Sequence, residues 1–280
     1  MGWRLLLYML LTVLVTAAAM TVLPPGLLAG AAATLAGALA AGWTVLALDG
    51  RKPGALGFYL ARASARESLG GVAVGVGVAS VIIGAIALFG ALRWSPEPGT
   101  AVDWLVGAGG AAAFLAVPAA AEEAVLRGYP LQALAESWGP AWALWITAAA
   151  FGALHLSNPG VTALAAVNVA GAGLLLGVVY LRTASLWWAT GVHLGWNWAQ
   201  GYLADVPVSG LELMDAPFYE GIAGGPAWLG GGAFGPEGSV LTTLIVLGAA
   251  ALLWTRPWLR PSRAALAARP LAVALGSGRA

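Results

Sequence analysis

The sequence predicts an all-α protein: a polytopic membrane bundle of about eight transmembrane helices. Of its 280 residues, 60% are hydrophobic and only 9% are charged, whereas a soluble domain carries about 25% charged residues. The mean hydropathy is +0.84. Apolar stretches of roughly 20 residues, long enough to cross a bilayer as helices, recur along the chain. These observations favour a membrane protein over every soluble class.

The spans follow from the apolar stretches taken in chain order. They cover 4–23, 26–48, 69–92, 102–121, 140–157, 161–181, 185–203 and 239–255. The first resembles a signal peptide, but its apolar run is long and Pro24-Pro25 follows at once, so we expect a retained helix. Small residues four apart, at Gly71/Gly75 and Gly173/Gly177, predict close helix packing.

Positive charges predict the orientation of the bundle, because Lys and Arg accumulate on the cytoplasmic side. With a cytoplasmic N-terminus, only Arg93 falls outside. The positive residues that fall inside are Arg4, Arg51, Lys52, Arg62, Arg66, Arg127, Arg182, Arg256, Arg260, Arg263, Arg269 and Arg279. We therefore expect a multi-pass protein of the cell membrane with both termini in the cytoplasm.

The chain divides into three predicted regions. Residues 1–100 hold the first helices and a basic cytoplasmic loop, 101–255 form the core, and 256–280 are a basic tail near the anionic inner leaflet. The outer loop, residues 204–238, is acidic and rich in Gly and Pro, and we expect it to be irregular. A net charge of +1 indicates no nucleic-acid partner. The absence of cysteine excludes disulfides, thiolate metal sites and a cysteine nucleophile.

Ionisable groups inside membrane spans are expensive, so each is a functional hypothesis. The candidates of this kind, with one amide, are Glu122, Glu123, Arg127, His155, His193 and Asn197. The chain has two histidines, and both fall in predicted spans.

Helical spacing assigns directions to these side chains. Glu123 and Arg127 are four residues apart and can pair on one helix face. Glu122 points about 100° away from Glu123 and is left for another role. His193 and Asn197 are also four residues apart and project together.

A predicted hairpin brings Glu122 towards His155. The turn lies at 137–140, with Glu122 about 16 residues before it and His155 about 17 residues after it. At the helical rise per residue, both lie roughly 24–25 Å from the turn, at matched depth. The polar stretch around Gln132 and Glu136 would then project into the cytoplasm. The depth of His193 relative to this pair does not follow from the sequence.

A carboxylate, two imidazoles and an amide in a partly dry site can hydrolyse an amide bond. Glu122 would act as general base on a water that His155 positions, while His193 and Asn197 donate hydrogen bonds to the oxyanion. Zinc is the alternative, with Glu122, His155 and His193 as ligands and water as the fourth. We favour the metal-free reading, because Glu123 would be tied to Arg127 and no HExxH pair is present.

Three motifs in order resemble the CPBP/Abi family, which includes type II CAAX prenyl proteases and bacterial immunity-type membrane proteins. They are EExxxR at 122–127, FxxxH at 151–155 and HxxxN at 193–197, and residues 233–239, AFGPEGS, resemble the end of the outer loop in bacterial members. The resemblance covers about 100–245. Leu126 departs from it, since an aromatic residue is common there.

The resemblance implies an intramembrane endopeptidase with no required cofactor or, alternatively, zinc. It implies that Glu122 activates water, that His155 is its partner, that His193 and Asn197 hold the oxyanion, and that Glu123 and Arg127 support them. The substrate would be a membrane-associated protein or peptide within the lipid bilayer. The alternatives are a non-catalytic bacteriocin-immunity or scaffold protein, and a transporter.

Overall fold

The computed structural model describes residues 2–271 and confirms the predicted all-α class. The last residues of the predicted tail, 272–280 with Arg279, lie outside the described residues. The helices are α1 Gly2–Met20, α2 Leu27–Leu48, α3 Arg62–Leu88, α4 Ala101–Glu123, α5 Tyr129–Trp138, α6 Pro140–Leu154, α7 Ala163–Thr183, α8 Leu186–Trp198, α9 Ala227–Gly230, α10 Val240–Thr255 and α11 Arg263–Ala267.

Five helices within residues 2–271 are long and apolar enough to cross a membrane. They are α1, α2, α3, α7 and the continuous helix Ala101–Trp138. The apolar helices α6 and α10 are shorter, and α8 has 13 residues before it continues into a π-helical turn at Ala199–Leu203. The count of eight spans therefore stays a prediction.

The sequence predicts that the fourth span ends at residue 121, but the helix continues beyond this point to Trp138. A π-helical turn, Ala124–Gly128, joins α4 directly to α5, and Glu122 and Glu123 form the last residues of α4 before it. The hydroxyl of Tyr8 in α1 donates to the carbonyls of Ala124 (3.0 Å) and Val125 (3.3 Å). This contact supplies a partner for carbonyls that the wider turn displaces from the regular helical ladder.

Glycines place α8 directly against α3, as the Gly71/Gly75 spacing predicts. A Cβ added at Gly75 would overlap the carbonyl of Val192, and one at Gly195 would overlap the carbonyl of Val72. In a second close contact, Gly173 of α7 faces Phe151 and Ala148 of α6. Small residues thus let these backbones approach to a distance that any side chain would prevent.

The outer loop is more ordered than the sequence predicts. Its segment Tyr219–Ala223 (β2) pairs antiparallel with Leu92–Pro96 (β1), with Trp94 opposite Gly221. The indole of Trp94 donates to the carbonyl of Ala204 at 2.8 Å. The partner strand lies more than 100 residues earlier in the chain, so local composition could not reveal the pairing.

The described part of the tail is docked on the bundle. Leu259 and Ala265 are buried, and the guanidinium of Arg182 donates to the carbonyls of Leu259 (3.2 Å) and Arg256 (2.9 Å). Gln132 is fully buried within the protein, and the projection of its segment into the cytoplasm stays a prediction. Its amide donates to the carbonyl of Gly128 and accepts from the backbone N–H of Leu271, at 2.8 and 2.7 Å.

Candidate active site

Three elements bring Glu122, His155 and His193 together. Glu122 Oε2 lies 3.9 Å from Nε2 of His155 and 3.9 Å from Nε2 of His193. The predicted fifth span runs to residue 157, but α6 ends at Leu154 and His155 begins the following turn. That turn frees the imidazole to face α4 instead of continuing around the helix.

The two carboxylates lie in different surroundings, as their helical spacing predicts. The side chain of Glu122 is 36% exposed, whereas those of Glu123 and Arg127 are 0% exposed. Arg127 Nη1 donates to Glu123 Oε1 at 3.1 Å, and Nη2 donates to the carbonyl of Gly173 at 2.8 Å. The guanidinium also lies over the ring of Phe151, 4.5 Å from its centroid.

Glu123 has a second contact that the sequence did not indicate. Its Oε1 lies 3.0 Å from Nδ1 of His193. The buried carboxylate therefore bridges Arg127 and His193, and it fixes the orientation of the imidazole. The i, i+4 spacing revealed the first partner only, because the second is on another helix.

The partner of each Nδ1 indicates which nitrogen of the imidazole carries a proton. Nδ1 of His155 faces the carbonyl of Phe151 at 2.8 Å, and a carbonyl can only accept, so this nitrogen carries a proton. In this tautomer Nε2 of His155 is the acceptor nitrogen, and it faces Glu122. Nδ1 of His193 donates to Glu123 by the same reasoning. His193 can donate from Nε2 as well only when it is an imidazolium, a form that the two nearby carboxylates stabilise.

A cavity of about 280 Å³ contains the reactive ends of these groups. Its wall includes Glu122, His155, His193 and Asn197, together with apolar side chains from α4, α7 and α8. Asn197 thus lines the same space as His193, as the i, i+4 spacing predicts. Since the surroundings are mostly apolar, charges in this cavity interact more strongly than they would in water.

Glu237 also lines the cavity, and we did not predict it as a site residue. It lies in the short segment before α10, where the sequence suggested only a carboxylate of the outer loop. Ser209 donates to Glu237 Oε2 from its backbone N–H (2.6 Å) and its hydroxyl (2.8 Å), and the indole of Trp196 donates to Oε1 at 3.1 Å. Burial raises the pKa of the Glu237 carboxyl, and the donors from Ser209 and Trp196 oppose that rise. The motif AFGPEGS was the one signal that could have found it.

The carboxylate and imidazole atoms at Glu122, His155 and His193 are of types that bind zinc, but they lie farther apart than ligands of one zinc ion. Both histidines direct Nε2 inwards while Nδ1 bonds to another group, as metal-binding histidines do. Ligands of one tetrahedral zinc ion lie about 3.3 Å apart, given bonds of roughly 2.0 Å, whereas the separations here are 3.9 Å. In residues 2–271, no group of three or more His, Cys, Asp and Glu side chains is arranged to hold a metal ion. We derive no chemical step through a metal.

Comparison with known proteins gives a match to a family model. Residues 104–199 match the model of a family described as type II CAAX prenyl endopeptidase, Rce1-like. No curated protein and no solved structure matches the chain. This match makes the segment similar to CAAX-protease-like membrane peptidases. The resemblance to the CPBP/CAAX protease-like family, inferred from EExxxR, FxxxH and HxxxN, is confirmed over that segment.

Proposed function

We propose that the protein is an intramembrane endopeptidase in which Glu122 activates the attacking water. The observation that carries the proposal is the convergence of one half-exposed carboxylate on two imidazole nitrogens, each 3.9 Å away, inside an apolar cavity. These distances are too long for direct hydrogen bonds, so a polar atom between the groups can bond to more than one of them.

Each residue has a defined part in the proposed reaction. Water donates one hydrogen bond to Glu122 Oε2 and the other to Nε2 of His155, and Glu122 takes its proton as the oxygen attacks the scissile carbonyl. His193, as the imidazolium, and Asn197 donate to the oxyanion. Glu122 then returns the proton to the leaving amine. Glu123 and Arg127 do not touch the substrate, and they hold His193 in place.

The Glu122→Gln substitution tests this proposal. It keeps the shape of the side chain and removes its basicity, so we expect cleavage to fall about 10²- to 10⁴-fold. The measurement is mass spectrometry of new N-termini in membrane fractions from cells that contain the native or the substituted protein. Glu136→Gln is the matched control, because Glu136 is exposed and lies on the same continuous helix.

The control must retain the native set of N-termini, and both variants must be present in the membrane in equal amounts. Identical N-termini in native and Glu122→Gln cells would contradict the proposed hydrolysis. Full biological activity of Glu122→Gln would instead support a binding or immunity function for the same cavity.

A further inference from the structure

The motif AFGPEGS has no part in the proposed chemistry, yet its carboxylate lies in the wall of the cavity. Glu237 is only 6% exposed, and its two oxygens accept hydrogen bonds from different parts of the fold. Oε1 bonds to Trp196 in α8, and Oε2 bonds to Ser209 in the outer loop. A carboxylate with hydrogen bonds to both oxygens has a fixed orientation, and it holds Trp196 and Ser209 at a set distance from each other.

The backbone of Glu237 is itself anchored. The amide of Asn168 in α7 donates to the carbonyls of Glu237 (2.7 Å) and Ser239 (2.8 Å), on either side of the short turn that leads into α10. Asn168 is 2% exposed and accepts from the hydroxyl of Thr243. The backbone at Glu237 is therefore attached to α7 and to the start of α10.

Ser209 joins the two elements that carry the histidines. Its carbonyl accepts from the amide of Asn158 at 2.9 Å, three residues after His155 in the same turn. Its N–H and hydroxyl bond to Glu237, which bonds in turn to Trp196, three residues after His193 in α8. A continuous path of hydrogen bonds thus runs from the turn of His155 to the helix of His193.

The loop around Ser209 also forms one wall of the cavity. The lining residues of this segment are Val208, Ser209, Leu211 and Leu213, and they share the cavity with the groups that we assign to catalysis. Apart from the bonds to Glu237, this segment is held by Asn158, by the amide of Gln200, which donates to the carbonyl of Pro207 at 2.6 Å, and by backbone contacts such as that from Gly210 N–H to the carbonyl of Phe234.

We propose that Glu237 is a positioning residue of this site: it holds the loop 208–213 against the bundle, closes that side of the cavity, and fixes the turn of His155 relative to α8. The catalytic consequence rests on the proposed function, because only a hydrolase needs this geometry for cleavage. The closure itself does not rest on it and can be measured without a substrate.

The native chain has no cysteine, so a single introduced thiol reports water access. Ala172→Cys places it in the cavity wall, Ala143→Cys places it in the packed core, and Pro98→Cys places it at an exposed position. The measurement is the rate at which a charged maleimide labels each thiol in the purified full-length protein in detergent. We expect the native cavity thiol to react at least tenfold more slowly than the exposed one.

Combining Glu237→Ala with Ala172→Cys is expected to raise the labelling rate at least tenfold, and Ser209→Gly is expected to raise it by a smaller factor. Glycine suits position 209, where φ is +48°, so this variant retains the backbone and loses only the hydroxyl bond. Glu220→Ala removes an exposed carboxylate of the outer loop, outside residues 208–213. It is expected to leave the rate within twofold. The Ala143→Cys thiol stays protected in every background.

An unchanged cavity rate in both Glu237→Ala and Ser209→Gly would overturn the proposal. So would equal acceleration at Ala172→Cys and Ala143→Cys, because it would show a general structural role. If Glu237→Ala does not fold, Ser209→Gly decides alone. Where the native protein cleaves a peptide, both variants should lower kcat and Glu220→Ala should not. If the variants open the cavity but the native protein cleaves no peptide, the proposed function is wrong and the positioning role of Glu237 still holds.

Discussion

The adjacent residues Glu122 and Glu123 have carboxylates in different surroundings. Glu123 is completely buried and its Oε1 is bonded to Arg127 and His193, whereas Glu122 lines the cavity and is 36% exposed. Oε2 of each carboxylate has no hydrogen-bonding partner among the described residues. The difference follows from the helix, since neighbouring residues point about 100° apart. In the proposed mechanism, Glu123 holds Arg127 and His193 in place, and Glu122 accepts the proton.

Removing Arg127 is expected to destabilise the protein strongly. Arg127→Met leaves the Glu123 carboxylate buried with His193 as its remaining bonded partner, and breaking a buried ion pair in this way costs about 3–5 kcal/mol. The measurement is the free energy of unfolding, or the midpoint of thermal unfolding, in detergent.

The double variant Glu123→Gln with Arg127→Met should recover part of the loss, because it removes the uncompensated charge. Arg66→Met, at an exposed position, is the control and should change stability by less than about 0.5 kcal/mol. Equal effects of Arg127→Met and Arg66→Met would contradict the structural role of the pair.

Strong chelation distinguishes the two chemistries left open at Glu122. If Glu122 acts directly on water, cleavage persists after prolonged treatment with a chelator, and the purified protein contains no stoichiometric zinc by elemental analysis. If Glu122, His155 and His193 bind zinc, chelation abolishes cleavage and added zinc restores it. Loss and restoration of this kind would contradict the metal-free mechanism.

At the scale of elements, the close contact between α3 and α8 determines where His193 lies. Gly75 faces the carbonyl of Val192, the residue immediately before His193. Any side chain at position 75 would push α8 outwards and move the imidazole away from Glu123. The glycines thus connect helix packing to the geometry of the site.

The Gly75→Ala substitution is therefore expected to lower stability by about 1–3 kcal/mol, as overpacking does, and to reduce Glu122-dependent cleavage. Gly77→Ala is a matched control on the same helix, because a Cβ there meets nothing within 4 Å. The control should be neutral or stabilise the helix by about 0.5–1 kcal/mol, since alanine is the better helix former. Thermal unfolding of both variants in detergent measures the difference, and a neutral Gly75→Ala would contradict the packing argument.

The sequence predicts those parts of the site that depend on local periodicity. The pairing of Glu123 with Arg127 and the approach of Glu122 to His155 follow from helical spacing and hairpin depth. The contact of Glu123 with His193 does not, because it depends on how deeply α8 lies against α3. The contacts of Glu237 depend on a loop that returns to the bundle, and composition alone described that loop only as acidic and irregular.

At the scale of the whole molecule, segments that the charge pattern places on one side of the membrane contact each other. Arg4 at the start of α1 pairs with Asp49 after α2, and Arg51 donates to the carbonyl of Arg269 in the tail at 2.7 Å. At the other end, β1 pairs with β2 of the outer loop. Contacts of this kind require each group of segments to share one end of the bundle.

The segments that meet at each end of the bundle are those that the charge pattern places on one side of the membrane. This orientation can be tested. We expect the end that carries Arg4, Arg51 and the tail to face the cytoplasm, because cytoplasmic loops hold the excess of Lys and Arg. In intact cells, a membrane-impermeant maleimide should label Pro98→Cys, beside β1, and should label Ala65→Cys, near the start of α3, only after the membrane is opened. Both positions are exposed, so their reactivity reports sidedness and not burial. The reverse pattern would invert the orientation, and equal labelling of both in intact cells would show that residues 65 and 98 do not lie on opposite sides of the membrane.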